Sequence, residues 1–311
     1  MPAHHTLKPT PETVHWGHFD AKIPPRITVE SGDTVTVDTV SGGPIEVEDL
    51  SIMRPDHREI ATTLKPHLGP HILTGPIAVR GAEPGDTLEV RIRAIELTVD
   101  WGWNVIRPLK GTLPEDFGEF QRRIIPIDRK ALVAKLPWGA TIPLKPFFGI
   151  VAVAPRASYG TVSSIEPREF GGNMDNQEFT PGTTLYLPVF VPGANFSAGD
   201  GHAVQGDGEV CLTALETCML GTFELVLHKR KPLDMPRAIT PTHYITMGFD
   251  PDLDDAAKQA LRDMIRWLVE LKGWKPAEAY VFCSLACDLH VTQLVDGNKG
   301  IHAMVKRALL E

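Results

Sequence analysis

The 311-residue chain carries 31 Lys and Arg against 39 Asp and Glu, a formal charge of −8. That balance, with no Lys/Arg stripe, argues against a duplex-binding face, which needs positive charge to neutralise phosphates. Apolar residues at 42%, charged residues at 23%, and 27 Gly and 27 Pro without a period exclude a collagen-like or disordered chain.

At roughly 150 residues per domain the length implies about two domains, or one large β-rich unit. No segment reaches the roughly 18–20 apolar residues of a membrane span. The longest apolar stretch, Phe147 to Ala154, has core-strand length. The opening residues, His4 and His5 among them, lack the apolar stretch of a signal peptide. Cys211, Cys218, Cys283 and Cys287 form no CxxC and no disulfide framework. We therefore expect buried, reduced thiols in a cytoplasmic protein.

The first 230 residues read as β. Val29 to Val37 and Ala82 to Val90 each hold a Gly-Asp turn feeding an alternating strand, so Asp33 and Asp86 are expected to be turn formers. Leu88, Val90 and Ile92 alternate with charged residues, as do Phe223, Leu225 and Leu227 with their neighbours. Leu185 to Val191 reads as an interior strand, although Pro188 points to an edge or a bulge. A linker with three prolines, Lys231 to Pro241, leads into the last block. From 254 to 272 the apolar residues fall on one helical face, with Asp252 as N-cap and Gly273 just past the end. A second helix is expected from Pro276 to about Ala286, and a returning strand from Leu289 to Val295. The expected fold class is α+β: a β-rich sandwich or jelly-roll-like body over 1–230, then a C-terminal helical segment with a returning strand over 231–311, packed on the same unit as scaffold.

A third Gly-Asp turn, Gly199-Asp200, opens a different kind of stretch. Residues 199–209 hold four glycines, three carboxylates, His202 and Gln205. Read at period two, Gln205, Asp207 and Glu209 share a face. Two readings stand at this point, a solvated Gly-rich hairpin or a metal and acid/base site. Three further clusters carry similar chemistry: His15 to Asp20, His71 between turn residues, and Gly171 to Asn176 with Asn173, Asp175 and Asn176. Neutral imidazole with carboxylate suits Zn²⁺ or a similar ion. No GxSxG elbow, HExxH helix or P-loop is present.

These stretches together resemble the acetamidase/formamidase family. The resemblance rests on His15-Trp-Gly with Phe19-Asp20, on Gly69-Pro-His71 through Pro76, and on Arg107-Pro through Phe117. It continues through Gly171 to Asn176, Gly199 to Glu209, Thr240 to Phe249 and Asp288 to Gly297. It covers nearly the whole chain. One departure is Met304-Val305-Lys306, where a proline is expected before the lysine. The resemblance implies hydrolysis of short aliphatic amides, formamide-like or acetamide-like, to carboxylate and ammonia. The assignment that follows makes Asp200 and His202 metal ligands, with His71 and Asp20 as further ones. Glu209 is the expected general base and then acid, with Asp175 in reserve. Asn173 and Asn176 would bind the amide or its oxyanion, and Trp16, Trp101 and Trp103 would wall the pocket. The expected cofactor is a divalent metal, Zn before Ca. Expected partners are a small amide substrate and, as an open option, further copies in a homo-oligomer, but neither nucleic acid nor membrane. The competing reading is a non-catalytic β-sandwich binding module with structural Ca²⁺.

Overall fold

The computed structural model describes residues 2–311. A nine-stranded sheet runs, in spatial order, through His4–Leu7, Thr34–Asp38, Met219–His228, Thr87–Leu97, Thr184–Pro188, Arg237–Ile239, His243–Asp250, Lys299–Lys306 and Cys287–Gln293. Only its first pair is parallel. The alternation read from sequence sets its inner face: Leu88, Val90, Ile92, Phe223 and Leu225 are fully buried. They meet an eleven-stranded sheet, where Phe223 packs edge-on against Phe196 at 5.3 Å and tilted against Phe148 at 5.5 Å between ring centroids. The body is thus two face-to-face sheets of mainly antiparallel strands, as an α+β, β-rich fold requires.

Four neighbouring elements of the second sheet matter for the site. Leu215–Thr217, Phe196–Val204, Phe147–Ala152 and Gly171–Asn173 lie side by side, all antiparallel. Here Gly199-Asp200 departs from its reading as a turn, because both residues sit inside the nine-residue strand Phe196–Val204. The small residues Ser197, Ala198, Gly199 and Gly201 let neighbouring strands close on both sides, which makes a strand out of turn-like composition. Pro188 is the last residue of an interior strand, where its missing N–H costs no ladder bond.

The C-terminal block follows its periodicity. Helix Leu253–Lys272 starts at Asp252, whose carboxylate accepts from Asp254 N and Asp255 N, and ends at Gly273 with φ 68°. Helix Pro276–Ala286 follows, then the strand Cys287–Gln293, two residues earlier than expected. Ala256, Ala260, Met264 and Leu268 pack on Ile301, Ala303 and Val305. A third helix, Pro55–Thr63, lies in the stretch read as β. It is short, starts on Pro55 and buries His57, Ile60 and Ala61, so its apolar face spans barely one turn. No helix among the described residues is long and apolar enough to cross a membrane.

Candidate active site

The floor of a cavity of about 640 Å³ is formed by Asp200, Glu209, Glu216, Asp296 and Asn173. His202 and Asp175 stand behind this floor, nearly or completely shut off from solvent. His202 Nε2 lies 3.1 Å from Asp200 Oδ2, 3.2 Å from Glu216 Oε1 and 3.9 Å from Asp175 Oδ1. Its strand pairs with Leu215–Thr217 so that His202 faces Glu216 directly. Asp200, Asp175 and Glu209 reach the centre through left-handed backbone, at φ of 58°, 49° and 45°. Non-glycine residues seldom adopt this conformation, which is stored strain at the positions that aim the carboxylates.

Gly149 makes room for the cluster. A Cβ there would lie 2.5 Å from Asp175 Oδ1, 2.6 Å from Asp200 Oδ2 and 2.8 Å from His202 Cε1. Its carbonyl also accepts the N–H groups of Met174 and Asp175, fixing the turn that carries Asp175. Gln205 sets the imidazole. Its Nε2 donates to the carbonyls of Asp175 and Thr292, so its Oε1 faces His202 Nδ1 at 2.9 Å. The hydrogen-bond network thereby assigns a proton to Nδ1 and leaves Nε2 toward the acids.

Five buried carboxylates around one such ring are not a neutral arrangement. Burial, reinforced by neighbouring acids, holds Asp175 and Glu209 well above the ordinary carboxylate range. Burial likewise pushes Glu216 up to about 8 and Asp296 up to about 7. For Asp200 burial acts in the same direction, but His71 and His202 outweigh it and keep the carboxyl low. Burial opposes charge on His202, yet Glu216 and Asp200 hold it well above the usual imidazole value. No Lys or Arg among the described residues pairs with any of the five acids. Asp175 Oδ1 and Oδ2, Glu216 Oε2 and Asp296 Oδ2 are buried without a hydrogen-bond partner. Orphaned oxygens beside an imidazole are the donor set of a divalent cation. The triads Asp175/Asp200/His202, His202/Glu209/Glu216 and Asp175/Glu209/Asp296 each bring ligand atoms within 4.8 Å of one another.

The expected site residues divide in two. Asp200, His202, Asp175, Glu209 and Asn173 converge, and His71 and Trp16 line the same cavity. His71 Nδ1 is held by Ser164 Oγ at 2.8 Å, and Trp16 Nε1 donates to the Pro70 carbonyl at 2.7 Å. Asp20 is not brought to this floor. It accepts from Thr161 Oγ1 and Lys22 N and borders a separate cavity, so local bonds at a partly solvated turn satisfy it. Asn176 is buried but caps its own turn, accepting from Glu178 N, and does not line the cavity. Trp103 lines the cavity, whereas Trp101 does not. Asp207 parts from Glu209 because the strand ends at Val204.

Sequence reasoning missed Glu216, Asp296 and Gly149. Glu216 carried a usable signal, a lone acid inside the apolar stretch from Ala214 to Leu220. Asp296 comes from the block read as scaffold, in the turn after Cys287–Gln293. Gly149 gave none, since its role depends on side chains from two distant segments. The thiols offer no rival centre. Cys218 Sγ lies 3.7 Å from His57 Nδ1, but burial pushes the thiol up to about 11 and the imidazole down to about 4. That is opposite to an activated thiolate pair. Cys211 and Cys287 are only partly buried, contrary to the expectation that all four thiols are interior.

The model of the acetamidase/formamidase family matches residues 5–159 and 156–305. The chain belongs to the acetamidase/formamidase family. It is 29% identical over 255 residues to a formamidase from Methylophilus methylotrophus, a match covering 62% of this chain and 63% of that protein. The chain therefore spans somewhat less than two thirds of that relative. An acetamidase structure from Yersinia enterocolitica shares 30% identity at TM-score 0.87, covering 100% of this chain and 94% of the other. An acetamidase structure from Bacillus halodurans shares 27% at TM-score 0.84, covering 98% of each.

Proposed function

We propose that the chain is a metal-dependent amidase that hydrolyses primary amides to carboxylate and ammonia. The observation that carries this reading is the cavity floor itself: buried acids with orphaned oxygens, gathered on His202, in a fold shared with formamidases and acetamidases. Asp175, Asp200 and His202 would hold the ion, with Glu216 beside His202 and Asp296 beside Asp175 as further ligands, and His202 among them favours Zn²⁺ or a similar metal over Ca²⁺. When bound, such an ion supplies Lewis acidity and lowers the pKa of a coordinated water toward about 7.

Glu209 lines the cavity and is assigned the proton. It takes a proton from the attacking water as the C–O bond forms, then passes it to the amine as the C–N bond breaks. Asn173 lines the cavity and its Oδ1 is a buried acceptor without a partner, so we assign it the substrate amide N–H. Trp16 and Trp103 wall the space above. A volume of about 640 Å³ exceeds what acetamide fills, so the substrate range extends from formamide to larger apolar amides. We place the enzyme in the cytoplasm, where four unpaired thiols persist. Exposed Leu109, Leu113 and Phe117, and Val281 and Leu285 on the last helix, support self-association.

The test is ammonia release across a series from formamide to phenylacetamide, with and without chelator. Chelation should abolish turnover and Zn²⁺ restore it. Full turnover in a preparation shown by elemental analysis to be metal-free would refute the metal-dependent mechanism, and no turnover on any amide would refute the amidase.

A further inference from the structure

Outside the cavity, a second group of ligand atoms gathers on the strand pair Cys287–Gln293 and Lys299–Lys306. His290 and His302 are direct cross-strand partners. Their rings stack nearly parallel, 4.9 Å between centroids and 8° apart. Asp207, in the loop after strand Phe196–Val204, approaches with Oδ2 3.2 Å from His290 Nδ1. Each of the three offers a ligand atom within 4.8 Å of the others. None of them lines the cavity.

We propose that Asp207, His290 and His302 form a separate binding site for a first-row divalent metal, Zn²⁺ in the first instance. Three observations carry the assignment. The first is spacing: two ligands each about 2.0–2.1 Å from a tetrahedral Zn²⁺ lie about 3.3 Å apart, close to the Asp207–His290 separation. The second is the outer shell. Thr292 Oγ1 holds His302 Nδ1 at 2.7 Å, which leaves Nε2 as that ring's ligand atom. Gln177 Nε2 donates to Asp207 Oδ1 at 2.8 Å, leaving Oδ2 for the ion. Ligands of bound metals carry outer partners of this kind. The third is placement: His302 is buried in the sheet behind the partly exposed His290, so the group is anchored on a rigid strand pair and still open to solvent on one side.

Three protein ligands leave a fourth position to water, and the role that follows is a clasp. Asp207 lies between Gln205, which orients His202, and Glu209. The loop is already tied to the C-terminal strand by Gly208 N to the Thr292 carbonyl at 3.0 Å and Leu294 N to the Gly208 carbonyl at 3.0 Å. An ion at Asp207 would fasten the same loop from its outer side.

The site is independent of the amidase reading, and the test keeps them apart. Protein stripped by chelator is titrated with Zn²⁺ alone, and metal is counted by elemental analysis after dialysis. His290 and Asp207 are 38% and 34% exposed at the side chain, so His290→Ala and Asp207→Asn are expected to fold, with circular dichroism as control. Wild type should hold one more equivalent than either variant, and Gln177→Ala should weaken that equivalent by roughly 10–100-fold. His202→Ala should retain it whether or not the cavity binds metal or turns over an amide. Added Zn²⁺ should raise the Tm of wild type more than that of His290→Ala. Equal stoichiometry and affinity in wild type and His290→Ala would overturn the proposal. So would loss of the equivalent in His202→Ala, which would assign the ion to the cavity.

Discussion

Of the four Gly-Asp steps in the chain, the first three meet divergent fates. Gly32-Asp33 and Gly85-Asp86 are turns feeding strands of the nine-stranded sheet. Asp33 accepts the N–H groups of Ala3 and Glu30, and Asp86 those of Glu83 and Arg230. Gly199-Asp200 lies inside a strand of the other sheet, and Asp200 turns its carboxylate onto His202. The dipeptide is the same in each case. What differs is how many backbone donors the surroundings supply. Where local N–H groups satisfy the carboxylate it shapes a turn. Where they do not, a buried side chain or an ion must.

Neutralising acids on the cavity floor has the largest expected effect. Asp200→Asn and His202→Ala should both lose the cavity metal and turnover. Glu209→Gln should keep the metal and the fold and lose roughly 10²–10⁴ in kcat, the usual size of general acid–base catalysis. Metal content and kcat on one short amide decide it. If Glu209→Gln stripped the metal while His202→Ala kept it, the two roles would exchange. If no substitution changed turnover, the cluster would be structural and the Gly-Asp steps equivalent after all.

The contrast also explains what could be read in advance. Helix Leu253–Lys272 was legible because one apolar face repeats over several turns behind a start signal at Asp252, and helix Pro276–Ala286 because Pro276 marks its start. Asp33 and Asp86 were legible because an aspartate turn is a local motif. Helix Pro55–Thr63 was not, since one buried turn is too short a period. At the cavity, Asp175, Asp200, His202 and Glu209 stood out as polar residues in Gly-rich stretches. Asp20 looked equivalent in sequence, yet Thr161, far along the chain, satisfies it. Glu216 showed only as a lone acid in an apolar stretch, and Asp296 and Gly149 gain their meaning from contacts between distant segments, which residue order does not carry.

Gly149 is the next point of leverage. Gly149→Ala should disturb Asp175, Asp200 and His202 together, because the added carbon meets all three. Overpacking typically costs about 1–3 kcal/mol, so the protein should still fold with a lower Tm. Its cavity metal affinity should fall with it, unlike at Gly32 or Gly85, where a Cβ meets nothing within 4 Å. Wild-type metal affinity in Gly149→Ala would show that the floor is looser than its distances imply.

A smaller effect is expected at the turn-forming acids. Burial works against Asp86, but the Lys229 ammonium and the Arg230 and Glu83 N–H groups outweigh it and lower its pKa. A group depressed in the folded state contributes stability above its unfolded value, near 3.9, and loses it as pH falls through the folded value. Asp86→Asn should therefore lower stability at neutral pH by about 1–3 kcal/mol, with the gap to wild type closing below about pH 4. Amide turnover should be unchanged. Chemical unfolding at pH 7 and pH 3 measures both arms, and a gap that widened in acid would reverse the sign assigned to Asp86.

The smallest effect belongs to the thiols, and it tests whether the acid cluster alone carries the chemistry. Cys211 is the thiol nearest in sequence to Glu209, two residues away and partly exposed. Its sulfur contacts Asn104 and the Thr213 carbonyl, neither of which is a base that could take its proton. Cys218 has an imidazole beside it, but burial keeps both partners neutral. Alkylation of the native protein should therefore reach Cys211 and Cys287 before Cys218 and Cys283, and kcat should stay within about twofold of the untreated enzyme. Mass spectrometry of the labelled peptides gives the order, and ammonia release gives the rate. A collapse of kcat in Cys211→Ala, with fold and metal content intact, would require a nucleophilic mechanism and would move the centre of the reaction from Glu209 to a sulfur two residues away.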